Sequence, residues 1–147
     1  MTATGHAVIG TVIAAKVGNP ALAIPLALAS HIAADFIPHW DTGTNREKKG
    51  LQRVLFETIF DVLLSFALSY GLLVFLFPKT EPLYAFLIIL ASQSFDWLMA
   101  PYYFFGIKAF KWAYDLQKLF DNKLDKPWGI INQVGILALL ILAALLF

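Results

Sequence analysis

The chain of 147 residues has no cysteine, and Lys, Arg, Asp and Glu together make up only 14% of it. The first absence excludes a disulfide framework and any thiolate metal site. The second excludes an ordinary soluble domain, in which about a quarter of residues are charged. Eleven basic and ten acidic side chains leave a net charge of +1, with no basic tract of the kind a nucleic acid partner needs. There is no P-loop, no dinucleotide fingerprint and no Ser-His-Asp triad. No basic region precedes the first apolar run, whose only lysine is Lys16 at its end, so the N-terminus reads as mature protein rather than a cleaved signal.

What is abundant is apolar: 59% of residues are hydrophobic and the mean hydropathy is +0.70. That combination predicts an all-α integral membrane bundle in a single domain spanning residues 1–147. Four to five transmembrane helices are expected, plus one interfacial amphipathic helix. The apolar segments run over about 4–16, 20–37, 54–77, 83–105 and 129–147. The first is short for a span. As a helix it rises about 20 Å against a hydrocarbon core of about 30 Å. It is therefore a tilted span, a span whose start is sunk in the protein, or a re-entrant piece. Between 107 and 124, lysines and other polar residues recur at three- and four-residue spacing opposite Ala109, Trp112, Leu116 and Leu119. This is the pattern of a helix lying in the membrane interface, or of a solvated helix packed on the bundle.

Basic residues in short loops orient such a chain. The 39–53 loop carries Arg46, Lys48, Lys49 and Arg53, and the 106–128 region carries Lys108, Lys111, Lys118, Lys123 and Lys126. With five spans these regions share one side. That predicts a multi-pass protein of the inner (cytoplasmic) membrane with its N-terminus in the cytoplasm and its C-terminus outside.

The stretch His31-Ile-Ala-Ala-Asp35-Phe-Ile-Pro38-His39-Trp40-Asp41 sits at the end of an apolar segment. His31 and Asp35, four apart, share a helix face. Ionisable groups at such a place are expensive and by default mark function. The expected topology brings more of them to the same depth: His6, Glu57, Asp61 and Asp96. Four of the ten acidic residues, Asp35, Glu57, Asp61 and Asp96, lie inside apolar segments with few cations to neutralise them. A divalent metal would neutralise several at once: zinc, manganese or iron for an imidazole–carboxylate set, magnesium or calcium for a carboxylate–water set. The candidate ligands are His6, His31, Asp35 and Asp96, with His39 and Glu57 as possible additions. Asp61 and Asp41 are candidate general bases. Each has a plainer alternative. His31 and Asp35 could bond each other and join two helices; His39 and Asp41 could be solvated loop residues; Glu57 could pair with Arg53, also four residues away.

The segment Thr4-Gly5-His6-Ala-Val-Ile-Gly10 followed by Ser30-His31-Ile-Ala-Ala-Asp35-Phe-Ile-Pro38-His39-Trp40-Asp41 resembles the opening of the small bacterial proteins called membrane-bound metal-dependent hydrolases, the LexA-regulated YdjM-like group. The resemblance covers residues 4–41. It implies a helical membrane domain, a divalent metal and hydrolase activity, and carries over His6, His31, Asp35 and Asp41 as site residues. The chain departs from that pattern further on. The segment from Gly50 to Asp61 lacks the family's histidines, and Ala91-Ser92-Gln93-Ser94-Phe95-Asp96 keeps the aspartate of a second Ser-His…Asp element but not its histidine. The site is correspondingly richer in carboxylate, and the chain is a divergent member.

Three functions fit. One is a metal-dependent hydrolase at the cytoplasmic interface, acting on a phosphoester or lipid-like amphiphile, with membrane lipids as partners. Another is an ion or proton translocator, against which the histidines and carboxylates of the membrane segments all lie near one face. The third is a non-catalytic scaffold in which a metal or polar cluster fixes helix packing.

Overall fold

The computed structural model describes residues 1–147. Every regular element is helical: α1 (Ala3–Lys16), α2 (Pro20–Phe36), α3 (Arg46–Lys49), α4 (Leu51–Leu76), α5 (Pro82–Ser92), α6 (Ser94–Phe105), α7 (Lys111–Gln117) and α8 (Trp128–Leu146).

Punctuation in the sequence accounts for most boundaries. Thr2 caps α1, its side chain accepting from the Gly5 N–H. Asn19 caps α2 ahead of Pro20. Gly50, at φ +79°, separates α3 from α4, a conformation that glycine adopts at little cost.

The short first segment is the core of the bundle. Ten of the fourteen residues of α1 are buried, and it packs against α2, α4, α5 and α8. Small residues allow this. A Cβ at Gly10 would lie 2.5 Å from Ser92 Oγ and 3.1 Å from the Ile89 backbone, so α1 and α5 touch backbone to backbone there. Val12, Ile13, Ala23, Ala27, Leu73 and Ile88 pack together at the end of the bundle away from the histidines.

Thirty-two large apolar side chains are exposed, among them Phe75 at 83% and Leu146 at 77%. So much exposed apolar surface is compatible with insertion into lipid. Two helices, α4 and α8, are long and apolar enough to cross a membrane; α5 and α6 make a third if taken together, bent by 52°. The expected continuous segment 83–105 is therefore broken, at Gln93.

The amphipathic helix expected over 107–124 is also shorter than its pattern. A 3-10 turn occupies Lys108–Phe110, and α7 stops at Gln117. The backbone beyond α7 has partners outside any helix. Asn122 donates its N–H to the Asp35 carbonyl at 2.9 Å, His39 to the Asn122 carbonyl at 3.1 Å, and Leu124 to the His39 carbonyl at 2.6 Å. These pairings fix the 121–124 backbone as a strand-like strap across the end of α2, which a continuing helix would preclude. Gly129 permits the packing of α8 against this strap: a Cβ there would collide with the Leu124 carbonyl oxygen and fall 2.6 Å from Trp40 N.

Candidate metal centre

Asp35, at the last turn of α2, is fully buried, and three imidazoles surround it. His6 Nε2 lies 3.1 Å from its Oδ1, His31 Nε2 3.3 Å from its Oδ2, and His39 Nε2 3.8 Å from its Oδ1. All three histidines are at most 1% exposed.

Two rings are held from behind. The Nδ1–H of His31 donates to the Ser92 carbonyl and that of His39 to the Ile37 carbonyl, each at 2.8 Å. A carbonyl only accepts, so Nδ1 carries a proton in both rings and Nε2 is the nitrogen turned toward the centre. Backbone anchoring of one ring nitrogen is the usual support of a metal-ligating histidine. The helix break supplies one anchor. At Gln93 the Ser92 carbonyl leaves the helical ladder and is free to accept from His31.

The same break starts α6, which places Asp96 in its first turn, where a carboxylate is favoured. Its two oxygens lie 4.0 Å from the Nε2 atoms of His31 and His6. Gln117 of α7 donates to Asp96 Oδ1 at 2.8 Å. His6, His31 and Asp96 thus form one group able to hold a metal ion. His6 Nδ1 and Nε2, His31 Nε2 and Asp35 Oδ2 are buried and have no hydrogen-bond partner within the protein. Buried polar atoms of this kind are rare and costly unless something binds them. The α-ammonium of Met1 donates to Asp35 Oδ1 and to His39 Nε2, so a cation already stands at this carboxylate. Imidazole and carboxylate donors, orphaned atoms and a cationic stand-in together fit a divalent metal.

A second group adjoins the first. His39, Asp41 and Asp121 bring their donor atoms within 4.8 Å of one another, also close enough to hold an ion. Here Lys123 intervenes, its Nζ 2.8 Å from Asp41 and 3.2 Å from Asp121. Burial disfavours the charged form of Lys123, but Asp41 and Asp121 outweigh it and hold its ammonium above the ordinary lysine range. Burial likewise pushes Asp41 up, and Lys123, with the α-ammonium and Thr44, outweighs it and holds the carboxyl below its ordinary value.

The structure therefore brings together His6, His31, Asp35 and Asp96, with His39 and Asp41 beside them. Of the other two candidates, Glu57 lies apart and Asp61 is tied to the start of α1. Glu57 accepts from Lys49 at 2.7 Å and Arg53 at 2.9 Å, which is the local pairing its spacing allowed. Asp61 accepts from the Ala3 N–H at 2.7 Å and the Thr4 hydroxyl at 2.6 Å, capping the start of α1. Both Asp61 and Asp96 line a cavity of about 90 Å³ that also reaches Asp41 and Lys123. Asp121, Lys123, Gln93 and Gln117 are contributors the sequence pattern did not single out. Asp121 and Lys123 flank Asn122 inside the apparent amphipathic repeat, so the spacing alone did not mark them.

Comparison with protein-family models, with curated proteins and with solved structures returned no match for this chain.

Proposed function

We propose that the protein is a membrane-embedded metal-dependent hydrolase, a divergent relative of the family its opening segment resembles, acting on a phosphoester or lipid-like substrate. The observation that carries this is the convergence of three imidazole Nε2 atoms on Asp35, two of them aimed by backbone carbonyls behind the rings.

His6, His31, Asp35 and Asp96 would hold the metal: zinc, manganese or magnesium. When bound, such an ion polarises a phosphoryl oxygen and lowers the pKa of water. The chain's own groups do the rest. Asp96 is oriented by Gln117. Asp61 lines the inner cavity beside Asp96 and is placed to accept a proton from water there. Asp41, tied to Lys123, is the less basic alternative. α1 and α2 complete the bundle as short crossings beside the longer apolar helices. The basic 39–53 and 106–128 regions sit together at the site end of the molecule. By the positive-inside rule that end faces the cytoplasm of an inner-membrane protein, with the C-terminus outside.

A scaffold role has one specific support: Met1 and Lys123 already bring positive charge to Asp35, Asp41 and Asp121. Two measurements separate the possibilities. The detergent-purified protein is expected to hold near-stoichiometric metal, lost in His31→Ala and in Asp96→Ala while both stay monodisperse. Asp61→Asn is expected to keep the metal and lose phosphoester turnover. Metal-replete wild type that retains no ion would remove the hydrolase mechanism. Metal loss accompanied by unfolding would favour the scaffold.

A further inference from the structure

A groove of about 940 Å³ runs between the 43–51 segment and the α6–α7 hairpin. Four cations line it, Arg46, Lys48, Lys118 and Lys123, against two carboxylates, Glu47 and Asp121. Ion pairs elsewhere in the chain use Lys49, Arg53, Lys111 and Lys123. Arg46, Lys48 and Lys118 have no carboxylate partner within 4.0 Å, so their charge is uncommitted.

Two of these cations are held in place without being neutralised. The Arg46 guanidinium lies 4.3 Å from the centre of the Tyr103 ring, and Lys118 Nζ lies 4.5 Å from that of Tyr114. The two rings adjoin, with centroids 6.0 Å apart. A ring face orients a cation but leaves its charge for an anion. Arg46 and Lys118 come from separate segments, so their meeting over paired tyrosines is a tertiary arrangement rather than a local charge run.

The groove adjoins the cavity beside Asp96. Gly43, Met99, Tyr103 and Lys123 line both it and the inner cavity beside Asp96. The α6–α7 hairpin that forms one wall also carries exposed apolar side chains, Phe105 at 69%, Trp112 at 56% and Ile107 at 47%, and Leu51 on the opposite wall is apolar and exposed. Tryptophan and tyrosine beside exposed aliphatic groups mark headgroup depth in a bilayer. An acidic peptide or a nucleic acid would have no use for that apolar hairpin surface. A phosphate carrying acyl chains would use both parts.

We propose that this groove binds the phosphate headgroup of a membrane lipid, clamped by Arg46 and Lys118 over Tyr103 and Tyr114, with its chains lying against the exposed apolar side chains of the α6–α7 hairpin. This names the substrate class of the adjoining metal centre and rests on the hydrolase assignment for turnover, though not for binding.

The test is calorimetric titration of the full chain in an uncharged detergent with EDTA present, so that failure to hold metal cannot mask the result. The probes are dihexanoyl phosphatidic acid, phosphate-free dihexanoylglycerol and inorganic phosphate. Phosphatidic acid is expected to bind well ahead of the other two. The double variant R46Q/K118Q should weaken it by about tenfold or more. A charge-matched control, K16Q/K79Q, at the far end of the bundle, should leave the Kd within about twofold. Lys16, Lys79 and Lys118 are exposed and Arg46 is half-buried, and unchanged thermal unfolding would confirm intact folds. Any of three results overturns the proposal: no binding by wild type, equal binding of dihexanoylglycerol or inorganic phosphate, or an unchanged Kd in R46Q/K118Q.

Discussion

His6 and His31 stack face to face, ring centroids 3.7 Å apart and planes 9° from parallel. One ring comes from the buried α1 and the other from α2, and both turn Nε2 toward Asp35. The stack makes the two helices deliver a single donor surface, and several consequences can be measured.

Asp35→Asn should be among the most damaging single-atom-scale changes in the chain. The carboxylate is fully buried, faces three imidazoles and accepts from the Met1 ammonium. Removing one partner of a buried charge pair costs about 3 kcal/mol or more. Thermal unfolding in detergent should shift down accordingly, and metal content should fall with it. An unfolding temperature equal to wild type would show that Asp35 is not the charged hub of the site.

Gly129→Ala and Gly135→Ala form a matched pair on α8. At Gly129 the added carbon meets the Leu124 and Trp40 backbones, which cannot swing aside as a side chain would, whereas nothing lies within 4 Å at Gly135. Overpacking of this kind costs about 1–3 kcal/mol. The open helical position should gain about 0.5–1 kcal/mol. Opposite signs in a thermal melt are the expected outcome, and only the Gly129 variant should also lose metal affinity, because its clash falls on the strap beside His39.

Lys123→Gln should destabilise the strap in a pH-dependent way. Lys123 holds Asp41 below its ordinary value, so that contribution is complete above the unfolded carboxyl pKa, about 3.9. It is lost as pH falls through the depressed folded value. Lys123 itself is held up, so its contribution is complete below about 10.4 and lost only as pH rises through the raised value. The variant should therefore lie about 1 kcal/mol below wild type near pH 7, with the gap closing in strong acid. Parallel melting curves at every pH would exclude the pairing as its cause.

Local chemistry was legible from sequence, and tertiary capture was not. The four-residue spacing of His31 and Asp35 put both on one helix face, where they are found 3.3 Å apart. The spacing of Arg53 and Glu57 likewise foretold the pair that keeps Glu57 away from the histidines. Asp61 was different. Nothing near it in sequence indicates that the free N–H groups opening α1 would claim its carboxylate. Asp121 and Lys123 lay hidden inside an apparent amphipathic repeat. Apolar periodicity favoured helix there, but backbone bonds to Asp35 and His39 overrode it.

The bend at Gln93 shapes the candidate metal centre. If α5 and α6 straightened into one rod, the Ser92 carbonyl would return to the helical ladder, His31 would lose its anchor, and Asp96 would swing away. A thicker bilayer favours the straighter, longer rod. Metal affinity of the reconstituted protein should therefore fall as acyl chains lengthen. With an ion bound in a bilayer, the 52° kink would make the donor set a gauge of membrane thickness, the surrounding lipid helping to set how firmly the ion is gripped.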